Sequence, residues 1–221
     1  MKEVNEGLFL GEVALNGVRY EIYNDDNPDH LPYAVAVGTI DGYHFPNNSI
    51  EIPKTFMFDS AEDLCLVTKV GDYAFAHKGL LNIVLPRFMF VIGKCAFYDN
   101  DLRYLYLPDR VGYLGKAAFS SNKLIDVHFS KMLRSINRSA FSFNSLTKVD
   151  LSSVTEFIQK EAFAFNPIER IAWSNSSHLV VATGAFEGTV DKDCKNACPA
   201  YRSHTISRDA FSGGSNPLEM F

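Results

Sequence analysis

An Ala-Phe pair recurs seven times along this chain, at Ala74-Phe75, Ala96-Phe97, Ala118-Phe119, Ala140-Phe141, Ala162-Phe163, Ala185-Phe186 and Ala210-Phe211, with successive Phe positions 22, 22, 22, 22, 23 and 25 residues apart. No other feature restricts the fold as strongly. A short unit repeated on a fixed step cannot bury its own apolar side, so it must stack on copies of itself and wind into a solenoid. Other columns keep the step: Asn100, Asn122, Asn144 and Asn166, and Leu102, Leu124, Leu146 and Ile168. An aliphatic residue stands four places before each Ala, from Val70 to Ile206, so seven coils are at least partly present.

Within one unit, Leu102-Arg103-Tyr104-Leu105-Tyr106-Leu107-Pro108, Leu105 and Leu107 alternate with Tyr104 and Tyr106, the period of a strand with one buried face. Pro86 and Pro108 cannot donate to a ladder and mark strand ends. A second extended piece, Val111–Leu114, leads into a short helical turn carrying Ala118-Phe119. The expected coil is therefore strand, bend, short strand, helical turn. Between coils, Phe75, Phe97, Phe119, Phe141, Phe163 and Phe186 form the expected core column, while Ala permits close approach of neighbouring turns. Asn100, Asn122, Asn144 and Asn166 read as an inward ladder satisfying main-chain groups of adjoining coils, in preference to four amides lining a ligand site.

A period between 20 and 29 residues is that of leucine-rich repeats. The unit from Leu102 to Asn122, with Pro108, Leu114-Gly115 and Ala118-Phe119, resembles the BspA-type leucine-rich repeats of bacteria and some protists, which read approximately Leu-x-x-Val-x-Ile-Pro-x-x-Val-x-x-Ile-Gly-x-x-Ala-Phe-x-x-Cys/Asn. The likeness runs from about Ile50 to Phe211 and uses Asn where many members have Cys. It weakens from Trp173 to Val180, where the Pro is lost and one residue is added. The resemblance implies a leucine-rich-repeat solenoid, α/β to mostly β, with parallel strands about one per 22-residue coil and short helical turns. It also implies frequent secretion or surface display, a role in adhesion or protein recognition, and no catalytic residues to carry over.

Three regions follow: residues 1–49 as an N-terminal β cap, 50–187 as leucine-rich repeats, and 188–221 as a degenerate last repeat with a C-terminal cap. In the first, two alternating segments flank Asn16-Gly17, a strong hairpin signal because both turn positions need positive φ. A cap is required because a bare terminal coil exposes apolar columns and an open strand edge. Residues Asn24–His30 form an acidic loop in which Asp25, Asp26 and Asp29 lack EF-hand spacing, so a solvated turn is preferred to a calcium site. Between Pro53 and Val70 the repeat spacing is exceeded by about a dozen residues, and Thr55–Cys65 is expected to leave the coil as a loop on one face. Ser212–Ser215 is expected to end the ordered region.

The chemistry of enzymes is not signalled. Six His are widely separated, with no i, i+4 pair, so no metal is implied; there is no phosphate loop, Gly-x-Ser-x-Gly elbow or zinc-protease motif, and no cofactor is expected. Cys65, Cys95, Cys194 and Cys198 are too few for a disulfide scaffold; Cys194 and Cys198 are either two thiols or a bridge in an oxidising compartment. With 21 Lys+Arg against 26 Asp+Glu, the chain carries no basic surplus for nucleic acid. No apolar stretch is long enough to insert in a membrane, and Met1–Asn5 lacks the core of a secretory signal. The chain is expected to be cytoplasmic if Met1 is its natural start, and secreted or surface-displayed if the family resemblance governs.

Residues between the buried columns of each strand point outward and stack into ladders: Val84, Tyr106, His128, Asp150, Ala172 in one, Asn82, Tyr104, Asp126, Lys148, Arg170 in the next. Arg103, Tyr104, Tyr106, Asp126, His128 and Lys148 are the candidate partner-binding residues, since Tyr and Arg are enriched at interface hot spots. The competing reading is that the tyrosines only pack across strands. Two functions stand: a non-enzymatic recognition or adhesion module for a protein or glycan, expected to be monomeric, and a structural or self-assembling surface element. An enzyme with a site built across coils is a weaker third.

Overall fold

The computed structural model describes residues 7–24, 30–58, 64–153, 156–174, 176, 178–189 and 210. Asp25, Asp26, Asp29, Cys194, Cys198 and Phe211, and the readings that rest on them, lie outside these.

The chain opens with β1 (Leu8–Leu15) and β2 (Val18–Asn24), antiparallel and joined through Asn16 (φ 50) and Gly17 (φ 81), the two positive values that let a two-residue turn follow the strand twist. β3 (Tyr33–Thr39) pairs antiparallel with β2. Alternation sends Val18, Tyr20, Ile22, Ala34 and Ala36 inward. β4 (Ser49–Glu51), β5 (Thr55–Met57) and β6 (Leu64–Val70) follow, and β3 pairs parallel with β6, so the opening strands continue directly into the repeat sheet.

Each later coil carries a three-residue strand and a two-residue strand: β7 (Asn82–Val84) and β8 (Val91–Ile92), β9 (Tyr104–Tyr106) and β10 (Tyr113–Leu114), β11 (Asp126–His128) and β12 (Ser135–Ile136), β13 (Lys148–Asp150) and β14 (Phe157–Ile158), β15 (Arg170–Ala172) and β16 (Val180–Val181). The longer strands pair in parallel as β4 with β7, β9 with β11, and β13 with β15. The short strands form a second ladder, β6-β8-β10 and β12-β14-β16. The chain is thus a parallel-stranded leucine-rich-repeat solenoid.

Two expectations are corrected. Thr55–Cys65 does not leave as a plain loop: β5 turns back to pair antiparallel with β6, with Phe56 opposite Cys65. The Ala-Phe turn is not helical either. Two residues per turn sit in the left-handed region, Cys95 (φ 50) and Asp99 (φ 53), Ala117 (φ 54) and Ser121 (φ 56), Ser139 (φ 55) and Phe143 (φ 54), Glu161 (φ 60) and Phe165 (φ 57), and a helix of L-residues cannot contain them. What they gain is a third ladder. The bent backbone aims its N–H groups along the solenoid axis, so that Phe97 donates to the Ala118 carbonyl (2.9 Å), Phe119 to Ala140 (2.9 Å), Phe141 to Ala162 (2.8 Å) and Phe186 to Ala210 (2.9 Å). Intercoil bonds alternate along the turn with local ones, such as Ala118 N–H to the Gly115 carbonyl (3.3 Å) and Ser120 N–H to Ala117 (3.2 Å), where a helix would have bonded throughout within itself.

Inside, the Phe rings stack from Phe75 to Phe186 with centroids 5.2–5.7 Å apart and planes within 16° of parallel. Gly71, Gly93 and Gly115 let successive coils touch: a Cβ on Gly93 would stand 2.6 Å from the Gly71 carbonyl carbon, and one on Gly115 2.3 Å from the Lys94 nitrogen. In the next coils that column becomes Asn137 and Gln159, whose amides reach across instead, Asn137 Nδ2 to the Leu114 carbonyl (2.6 Å) and Gln159 Nε2 to Asn137 Oδ1 (3.0 Å).

Candidate functional site

β9 and β11 are in register, Tyr104 opposite Asp126 and Tyr106 opposite His128. Their alternation buries Leu105 and half-buries Val127, leaving the other side chains in solvent, and Arg103 precedes them, exposed. Tyr104 is 63% and Tyr106 62% exposed. The Tyr106 and His128 rings lie flat on one another, centroids 4.5 Å apart and planes 3° from parallel. Four of the six candidate residues therefore share one face, and a fifth, Arg103, is exposed just before it. The sixth, Lys148, lies on β13 beside Arg170 of β15; β11 and β13 pack as neighbours without joining one bonded ladder. Asp150 follows His128 in the same column. Its carboxyl is held below the usual range first by the Ser152 hydroxyl and N–H (2.9 Å from the amide), with a smaller contribution from His128.

A second cluster sits at the bend after these strands and carries no motif. Arg87 lies 4.7 Å and Arg110 5.4 Å from the Phe88 ring, Arg110 also 5.8 Å from Phe90, and Lys54 6.0 Å from Phe88. Tyr106 and Asp109 line the same shallow depression. Sequence reasoning missed it because bends have no period. The available signal was alignment: Lys54, Arg87, Asp109 and Lys131 stand at equal distances from the ends of β4, β7, β9 and β11.

The Asn column is committed to main chain. Asn144 Oδ1 accepts from Leu124 N–H (2.9 Å), and its Nδ2 donates to the carbonyls of Phe119 (2.9 Å), Phe141 (3.1 Å) and Ser142 (3.2 Å); Asn100, Asn122 and Asn166 repeat the set. Each of these amides joins two adjacent coils, and all four are buried. Among the described residues, no three His, Cys, Asp or Glu side chains gather as a metal set, and no helix is long and apolar enough to cross a membrane.

Comparison with known proteins agrees with this architecture. A leucine-rich repeat protein from Eubacterium ventriosum superposes over 94% of this chain and 52% of its own, with TM-score 0.58 and 21% identity. The pneumococcal vaccine antigen PcpA aligns over 79% of this chain and 51% of its own (TM-score 0.47, 16% identity), and a leucine-rich repeat protein from Bacteroides ovatus over 81% and 57% (TM-score 0.45, 17% identity). The chain thus spans about half the length of each of these solved structures. No curated protein sequence matches it. The family model of the BspA-type leucine-rich repeat region matches residues 68–191 in six copies, narrower at both ends than the sequence columns, and on that match the chain belongs to the BspA-type leucine-rich repeat family.

Proposed function

We propose that this chain is a non-enzymatic recognition module that presents the β9–β11 face to a protein or glycan partner outside the cell. The observation that carries this is the pair Tyr104 and Tyr106, both more than 60% exposed on a strand bonded in register to β11. Tyrosine offers a large amphipathic contact area with few torsions to freeze, and the coil stack has already fixed the backbone beneath it. Arg103, Asp126, His128 and Lys148 supply charge and hydrogen bonds around it. The competing role of the tyrosines, packing across strands, is met by Tyr106, whose ring stacks on His128.

The test is binding of the labelled chain to arrays of extracellular-matrix proteins and glycans. A ligand whose affinity falls about tenfold or more in Tyr104→Ala, with the melting curve unchanged, supports the reading. A ligand bound equally well by Tyr104→Ala and Tyr106→Ala places recognition elsewhere. One observation favours self-assembly as a second reading: β1 is the outermost strand of its sheet among the described residues and leaves Leu8 (68%), Phe9 (51%) and Leu10 (41%) exposed. Light scattering separates the two. A monomer across concentrations supports recognition, and concentration-dependent multimers that Leu8→Lys abolishes support assembly.

A further inference from the structure

The bend cluster has a charge the rest of the chain does not prepare for. The protein carries a formal charge of −5, and several of its surface cations are matched: Lys123 with Asp101, Lys131 with Asp109 (3.2 Å), Arg134 with Glu156 (3.1 Å), Arg138 with Glu161 (3.3 Å). Lys54, Arg87 and Arg110 are exposed, and among the described residues none has a carboxylate within ion-pair distance. They come from three consecutive coils, one each, Lys54 and Arg87 three places after their strands and Arg110 four places after its own, and all three gather on the Phe88 ring. Both guanidinium groups lie against Phe88, which restricts them before any ligand arrives and leaves their N–H edges free to fork onto an oxyanion. Phe90 and Tyr106 flank Arg110 with exposed rings.

We infer that this bend is a binding site for an acidic polysaccharide, a linear sugar chain bearing carboxylate or sulfate groups along its length. Anionic groups on such a chain meet the cations gathered on Phe88, and sugar rings present C–H faces that lie on the exposed rings of Phe90 and Tyr106. An extended acidic peptide fits less well. The main-chain N–H groups here are already bonded, Ile52 to Val84, Leu107 to His128, Met89 to Pro86 and Val111 to Pro108, so a peptide finds none of these donors free to receive an added strand. The depression is also open, with no deep recess for side chains. Asp109 opposes the anion and is the element that limits affinity; it stands in the cation column itself and holds Lys131.

The experiment uses the whole chain against immobilised polygalacturonate and dextran sulfate, with neutral dextran and poly-glutamate as comparators. The wild-type chain binds at least one of the two acidic polysaccharides, more weakly as salt rises and without affinity for neutral dextran. Arg87→Gln with Arg110→Gln lowers the affinity by about tenfold or more, and Arg134→Gln, whose arginine is paired with Glu156, leaves it unchanged. Asp109→Asn raises it, a gain that loss of folding cannot mimic. Absence of binding to both acidic polysaccharides, equal binding of poly-glutamate, or an unchanged affinity in the arginine double variant overturns the inference. Tyr104→Ala, which tests the β9–β11 face, leaves polysaccharide binding within about twofold, so the two sites fail separately.

Discussion

The coils before Asn122 and those after it share one core and differ in how they meet. In the earlier half, Gly71, Gly93 and Gly115 bring backbones together with no side chain between them, and the outer faces carry Tyr104, Tyr106 and the unmatched cations of the bend. In the later half, Asn137 and Gln159 stand in the glycine column and span the gap with amides, while Arg134, Arg138 and Lys160 are answered by Glu156 and Glu161. Phe143 and Phe165 add a second, outer ring stack at 4.6 Å. The same repeat is therefore closed by sterics at one end and by polar bridges at the other.

If the core is common to both halves, Phe119→Ala and Phe163→Ala should each cost about 3–5 kcal/mol in denaturant unfolding. A difference above about 2 kcal/mol between them would show that the halves do not share one column. Next comes Gly115→Ala, expected to cost about 3 kcal/mol because the new Cβ meets the Lys94 backbone. Asn137→Ala, in the same column of the later half, should cost about 1 kcal/mol, since it only gives up amide bonds. Equal costs at these two positions would erase the contrast.

Acid should act on the later half first. Burial alone would raise the Glu161 carboxyl, which is 1% exposed, but Lys160 and Arg138 outweigh it and hold the pKa below the ordinary 4.5. A folded value below the unfolded one means that the stabilisation is present above the ordinary range and is lost as pH falls through the lowered value. Glu187, raised first by burial and then by the Glu161 charge, works with the opposite sign and partly masks the loss. Melting temperature against pH should accordingly fall less steeply below pH 4.5 in Glu161→Gln than in the parent chain, while Glu187→Gln should lose the gain in stability that Glu187 gives the parent as pH falls toward 4.5. The smallest effect belongs to Arg134→Ala: its pair with Glu156 is largely solvated, with side chains 73% and 41% exposed, and removal should cost no more than about 0.2–1 kcal/mol.

What could be read beforehand was whatever has a period. The Phe and Asn columns and the outward ladder of Tyr104, Tyr106 and His128 follow from counting, because every coil offers its residues the same surroundings. The hairpin at Asn16-Gly17 was legible for a different reason, as a turn with its own local chemistry. The partner strands β3 and β6 were not, since nothing in Tyr33–Thr39 says that it runs parallel to a segment some thirty residues later. The turn was misread because Ala-rich, Phe-bearing stretches favour helix, whereas hydrogen bonds to the next coil outweigh about 1–2 kcal/mol of left-handed strain at residues such as Ala117 and Ser139. The bend cluster depends on Arg110 reaching back over Phe88 of the previous coil, a diagonal that no single repeat displays.

The irregular coils show where this chain tolerates a change of length. Ser49 pairs with Asn82, a step of 33 where Tyr104 to Asp126 takes 22, and the eleven additional residues fall between a long strand and the short strand that follows it. The single addition near Trp173 lies in the corresponding interval, since Lys148 to Arg170 keeps 22 while Phe157 to Val180 takes 23. Among the described residues both insertions fall on one seam of the solenoid, and the Ala-Phe corner, with two left-handed residues and three intercoil bonds to keep in phase, carries neither. That seam is where new loops can be grafted or exchanged without shifting the register of any coil.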